Sequence, residues 1–110
     1  MVLALTLRLI KCGLKPPSGC FLTYPALLLD DSNCSPSYYN SLEDPVLHYS
    51  ILKLCLNAYV PKEYDPLTDP FVSPLVATDE FLAKLPPIRI VTGSEDPLHD
   101  DNWRFIYRLR

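Results

Sequence analysis

Twelve prolines against only three glycines, Gly13, Gly19 and Gly93, narrow what these 110 residues can fold into and what chemistry they can carry. A dinucleotide fingerprint needs three glycines close together and cannot be built from this set. Gly13 and Gly19 have the wrong spacing for a P-loop, and Cys20 follows where that motif needs lysine. The Gly-x-Ser-x-Gly elbow that exposes a nucleophilic serine does not occur in these residues either. The prolines punctuate instead: Pro16-Pro17 and Pro86-Pro87 forbid helix continuation, and Pro61, Pro66, Pro70 and Pro74 make the middle of the chain irregular.

Between these breaks the pattern alternates helix and strand. Val2–Cys12 is apolar on nearly every side, which predicts a helix buried all round. Gly13 is placed to cap it, and Arg8 and Lys11 suit its negative end. No capping residue precedes Val2, as if the helix continued something upstream. Cys20–Tyr24 reads as a buried strand. A loop rich in Asp, Ser, Asn and Pro runs from Asp30 to Ser41. Asp44-Pro45 then looks like a helix start, with Leu47, Ile51, Leu54, Cys55 and Ala58 on the buried face of a helix ending near Tyr59. Thr78 or Asp79 opens a short helix through Leu85, and Ile88–Thr92 is a second strand. After the acidic turn from Gly93 to Asp101, Asp101-Asn102 caps a last helix over Trp103–Arg110.

This order predicts an α/β layer with parallel strands and flanking helices. Three stretches follow from it. Residues 1–59 form helix–strand–helix, 60–87 a proline-rich connection with a short helix, and 88–110 a strand, an acidic turn and the start of a helix. Two strands alone leave bare edges, so the chain reads as the middle of a domain.

Composition sets further bounds. A net charge of -3 lacks the basic balance of a nucleic-acid binder. Cys12, Cys20, Cys34 and Cys55 form no Cys-x-x-Cys, and His48 and His99 are the only histidines, so no zinc spacing arises. Cys12, Cys20 and Cys55 are expected in the core, and Cys34 is the one candidate reactive thiol. No metal or cofactor is expected. Met1–Ile10 lacks a basic leader region and a cleavage site, and it is far shorter than the roughly 18 apolar residues of a membrane span. A cytosolic protein with reduced thiols is the expectation.

In parallel sheets, functional groups gather beyond the carboxyl ends of strands. Here that place is the turn Gly93–Asp101, which carries Glu95, Asp96, Asp100 and Asp101. Residue types alone leave three readings open: a solvated loop with a helix cap, a divalent-metal site, or a catalytic carboxylate.

Several blocks in order bear on that choice. They are Gly13-Leu-Lys-Pro-Pro-Ser-Gly19, Tyr24-Pro25, Ser35-Pro-Ser37 with Ser41-Leu-Glu-Asp-Pro45, Asp69-Pro-Phe-Val-Ser-Pro-Leu75, Leu85–Gly93 and Asp96-Pro-Leu-His-Asp-Asp101. Together they resemble the hormone-sensitive lipase family of α/β-hydrolases, and Ile51–Tyr59 looks closer to the animal type than to bacterial esterases. The resemblance implies a partial α/β-hydrolase fold and a serine-dependent carboxylic-ester hydrolase acting on acylglycerols or cholesteryl esters. It implies a cytoplasmic protein, with contact at a lipid-droplet surface. By the same resemblance Asp96 matches the triad aspartate, and Asp100 matches the second aspartate of the motif, with a supporting role in shaping the turn.

The resemblance also implies what these residues lack. Val2–Cys12 matches the helix that follows the nucleophile elbow, so the serine, the oxyanion-hole segment and the triad histidine fall outside them. His99 lies in the aspartate's own turn and is expected as a surface residue, not the triad histidine. His48 is expected at a rim. Ser94 has neither an elbow nor an adjacent base. The 110-residue chain is therefore expected to be inactive alone. The alternative is a non-catalytic homologue that acts by association with a partner.

Overall fold

The computed structural model describes residues 1–30, 32 and 34–110; within the expected 30–41 loop, Asp31 and Asn33 lie outside the described residues. In chain order the elements are α1 (Val2–Lys11), β1 (Cys20–Thr23), α2 (Pro36–Asn40), α3 (Tyr49–Tyr59), a 3-10 turn (Pro74–Val76), α4 (Asp79–Leu82), β2 (Ile88–Val91) and α5 (His99–Arg108). The two strands pair in parallel, with Cys20 opposite Ile88 and Thr23 opposite Val91. The α/β order with a parallel pair read from the sequence is the order found.

The core gathers on one face of this pair. Cys20 and Leu22 point into a cluster with Leu3 and Leu7 of α1, Leu27, Leu28, Leu75, Ala77, Leu82 and Phe105 of α5. Strand alternation then sends Phe21 and Val91 outward, and Phe21 is 65% exposed. β1 is thus covered on one face only, where a run buried on both was expected. α1 departs in the same way. Leu3, Thr6 and Leu7 are buried, while Met1, Val2 and Leu5 face solvent.

α1 ends as its sequence predicts. Gly13 takes φ +68°, its N–H donates to the Ile10 carbonyl at 3.1 Å, and the Leu14 N–H reaches the Leu9 carbonyl at 2.9 Å. This is a Schellman cap, which needs the left-handed conformation that glycine adopts without steric penalty. A Cβ here would meet nothing within 4 Å, so the cost of Gly13→Ala is conformational only. The expected loss is about 1 kcal/mol, read as a lower urea midpoint at an unchanged slope.

Three helix boundaries differ from expectation for local reasons. Asp44 does not start α3; its Oδ1 accepts the N–H groups of Val46 and Leu47 at 2.7 Å each, closing a turn. His48, an exposed residue, caps α3 by accepting the Ser50 N–H on Nδ1 at 3.3 Å. α3 is also rotated from the expected phase. Leu52 is its buried residue and Tyr49 packs edge-on against Tyr38 at 5.8 Å, while Ile51 and Leu54 are exposed, Leu54 by 69%. α5 begins at His99, so Asp100 and Asp101 sit in its first turn, where negative charge suits the helix dipole. α4 ends at Leu82, short of Leu85.

The proline-rich connection is sewn down by polar contacts. The Leu75 N–H donates to the Leu27 carbonyl, and the fully buried Ser73 hydroxyl accepts the Leu29 N–H, both at 2.9 Å. At the far end of α5 the Arg108 guanidinium donates to the carbonyls of Leu75 and Ala77 and to the Asp79 carboxylate. One planar fork thereby holds α5, the 3-10 turn and α4 together. Among the cysteines only Cys20 is buried; Cys12 and Cys55 are exposed, so two of the three expected core thiols lie outside the core.

Candidate active site

The turn beyond β2 is held from three directions. Inside it, the Asp96 carboxylate accepts the Leu98 N–H on Oδ1 at 2.9 Å and the Thr92 hydroxyl on Oδ2 at 3.2 Å. An ionised carboxylate offers about four lone-pair positions, so acceptor capacity remains after these two bonds. From α5, the buried Asn102 donates its amide to the Leu98 carbonyl at 2.9 Å and, at a longer 3.5 Å, to the Thr92 hydroxyl that serves Asp96. Thr92 therefore orients this carboxylate directly, and Asn102 orients it through Thr92.

From α2 comes a reciprocal clamp. The Ser37 N–H donates to Asp100 Oδ2 at 2.8 Å, and the Asp100 N–H donates back to the Ser37 hydroxyl at 3.2 Å. That hydroxyl in turn donates to the Pro97 carbonyl at 3.1 Å, and the Ser41 hydroxyl donates to the Glu95 carbonyl at 3.1 Å. Asp100 thus spends its carboxylate on the turn's attachment, while Asp96 lines a groove. The next acid along has its own partner: burial pushes the Asp101 carboxyl above its ordinary value, and Arg104 at 3.2 Å partly offsets this.

The groove has a volume of about 530 Å³, and its walls include Tyr24, Asp44, Val46, Leu47, Asp96 and Leu98. Tyr24 enters it through an unusual backbone, with φ +47° directly after β1, a conformation that disfavours side chains with a Cβ. Its ring lies beside Gly93, within 3.5 Å of where a Cβ on that glycine would stand. An acidic group rests among aromatic and aliphatic neighbours, an arrangement that can accept an N–H and hold it in one direction.

His99, expected as a surface residue, is partly exposed and holds two partners. Its ring is half-buried, with Nδ1 2.8 Å from the Gly93 carbonyl and Nε2 2.9 Å from the Trp103 indole nitrogen. Neither nitrogen is bonded to the Asp96 carboxylate. Ser94 is exposed, and no hydrogen bond links it to a histidine among the described residues.

Sequence reasoning picked out Asp96 and Asp100 and missed Thr92, Ser37, Asn102 and Tyr24 as the groups around them. A signal existed for α2, since Ser35 followed by Pro36 is a helix-start pattern. Among the described residues, no group of three or more His, Cys, Asp or Glu side chains could hold a metal ion. Nor is any described helix long and apolar enough to cross a membrane.

Comparison with known proteins matches the model of the alpha/beta hydrolase fold family to residues 1–110. Hormone-sensitive lipase of Ictidomys tridecemlineatus is 50% identical over 42 residues, which are 38% of this chain and 6% of that protein. An esterase of Acinetobacter venetianus is 35% identical over 105 residues, 96% of this chain and 33% of the esterase. The crystal structure of carboxyl esterase 2 from the fungus Tuber melanosporum superposes with a TM-score of 0.81 at 29% identity, over 96% of this chain and 34% of that one. The chain therefore spans about a third of the length of these esterases.

Proposed function

Because the chain belongs to the α/β-hydrolase fold family, we propose that it supplies the acid-bearing portion of a carboxylic-ester hydrolase of the hormone-sensitive-lipase type. The observation that carries this reading is the Asp96 carboxylate, fixed by Leu98 and Thr92 at the end of β2 with acceptor capacity facing a groove. A serine hydroxyl is a weak nucleophile until a histidine removes its proton. The histidine needs an anion on its Nδ1–H to hold the productive tautomer and to stabilise the imidazolium. Asp96 is assigned that role.

Asp100 is assigned the supporting one, tying the turn to Ser37 so that the Asp96 carboxylate keeps its direction. Acylglycerols or cholesteryl esters are the proposed substrates. Support comes from the partial identity to hormone-sensitive lipase and from the apolar groove walls Val46, Leu47 and Leu98. A cytoplasmic place of action belongs to the same reading and rests on the same resemblance.

The proposal makes these 110 residues inactive by themselves, since they contain no Gly-x-Ser-x-Gly elbow. Incubated with a short-chain p-nitrophenyl ester, the 110-residue chain is expected to release no more product than a heat-killed control. Put in place of the matching 105-residue segment of the Acinetobacter esterase, the same chain is expected to support turnover. Turnover by the isolated chain that Asp96→Asn abolishes would overturn the inactive reading. A folded but inert chimera would favour the alternative, a non-catalytic homologue that associates through its exposed strand face at Phe21 and Val91.

A further inference from the structure

The contacts of His99 define its protonation state by elimination. An indole nitrogen can only donate, so Nε2, 2.9 Å from Trp103, must be an acceptor without a proton. A carbonyl can only accept, so Nδ1, 2.8 Å from Gly93, must carry one. The ring is neutral and in one tautomer. It bridges the first residue of the acidic turn to the second turn of α5, and the Gly93 carbonyl it grips also receives the Asp96 N–H at 3.4 Å.

We propose that His99 is a proton-gated positioning residue, a latch that ties the acidic turn to Trp103 while neutral and releases the indole when protonated. Gain of one proton at Nε2 leaves the Gly93 bond in place and sets two N–H donors against each other at the Trp103 side. Lowering the pH supplies that proton to an imidazole. Of the charged groups, Glu95 from the turn and Asp100 from α5 share its hollow, and Asp96 of the same turn accepts the His99 backbone N–H on its carbonyl at 3.0 Å. The packed face of α2 contributes Pro36, Ser37, Asn40 and Ser41, none of which titrates there.

Trp103 is also a wall of a second hollow of about 500 Å³, shared with Cys34, Pro36, Arg104 and Tyr107. Releasing its indole reshapes that hollow without touching the Asp96 carboxylate. The latch holds whether or not Asp96 serves ester hydrolysis.

Trp103 is the only tryptophan in the chain, so its emission reports the latch directly. Lowering the pH from about 8 to about 5 should shift the emission of the 110-residue chain along a one-proton curve, with unchanged far-UV circular dichroism. His99→Gln should leave that emission flat, because the amide can still accept the indole N–H but does not titrate. His48 remains in this variant and serves as the internal control. A flat wild-type curve, or the same transition in His99→Gln, overturns the proposal. Should the variant lose its structure, imidazole nitrogen shifts of the wild-type chain near pH 8 decide the matter. A proton on Nδ1 is required, and a proton on Nε2 overturns the latch.

Discussion

Asp96→Asn in the esterase carrying residues 1–110 is expected to lower kcat by about 10⁴-fold with KM close to unchanged. Asparagine has the size of aspartate, and its Oδ1 can still accept the Leu98 N–H that aspartate accepts at 2.9 Å. Its amide nitrogen can donate to the Thr92 hydroxyl, so the turn keeps its shape. What is lost is the anion. An amide facing the histidine Nδ1 favours the wrong tautomer and gives nothing to the imidazolium that forms as serine is deprotonated. Asp100→Asn should cost much less, since an amide oxygen can replace the carboxylate oxygen that accepts the Ser37 N–H. Steady-state rates on a p-nitrophenyl ester separate the two variants. Equal losses would mean that both carboxylates act through the turn's shape, and that neither is the triad acid.

Phe105→Ala should remove a large share of the protein's stability. Phe105 is 0% exposed and belongs to the cluster that joins α1, β1, the residues around Leu27 and the 75–82 segment to α5. Removing a buried ring of this size costs about 3–5 kcal/mol through lost transfer energy and the cavity left behind. A domain of this length has only about 5–15 kcal/mol in total. The thermal midpoint should fall by roughly 15 °C or more. Trp103, 40% exposed on the same helix, gives the contrast; its replacement by alanine should move the midpoint far less. Circular dichroism melts of both variants make the comparison.

The parts of the fold legible in the sequence were those fixed by local chemistry. Gly13 marks its cap because left-handed backbone selects glycine, and the apolar runs at Cys20 and Ile88 mark the paired strands. What was illegible depends on which neighbours each face finds. Ile51, Leu54, Cys55 and Ala58 share a helical stripe, but so do Tyr49, Leu52 and Leu56, and periodicity cannot rank two apolar stripes on one helix. The contact of Tyr49 with Tyr38 and the burial of Leu52 select the second.

At the candidate site the carboxylates stood out in the sequence because they cluster beyond a strand. Asp96 is held locally by Thr92 and Leu98, but the Asp100 carboxylate and the Glu95 carbonyl are held by Ser37 and Ser41, more than fifty positions away, and no local pattern announces such a pairing. The contacts of His99 were illegible for a related reason. Its surface reading rested on its position in an acidic turn, whereas its partners are Trp103, one helical turn onward, and Gly93, six residues back.

The central claim is that the Asp96 carboxylate receives the Nδ1–H of a histidine supplied by the rest of a hydrolase domain. The most direct measurement is a proton NMR spectrum of the chimera at low temperature, recorded for the parent and for Asp96→Asn. A carboxylate-bound imidazole proton is strongly deshielded and slow to exchange. The account predicts this far-downfield resonance in the parent and its loss in Asp96→Asn, with the rest of the spectrum preserved. The same resonance persisting in a folded Asp96→Asn protein would contradict the assignment and move the acid's role to another carboxylate.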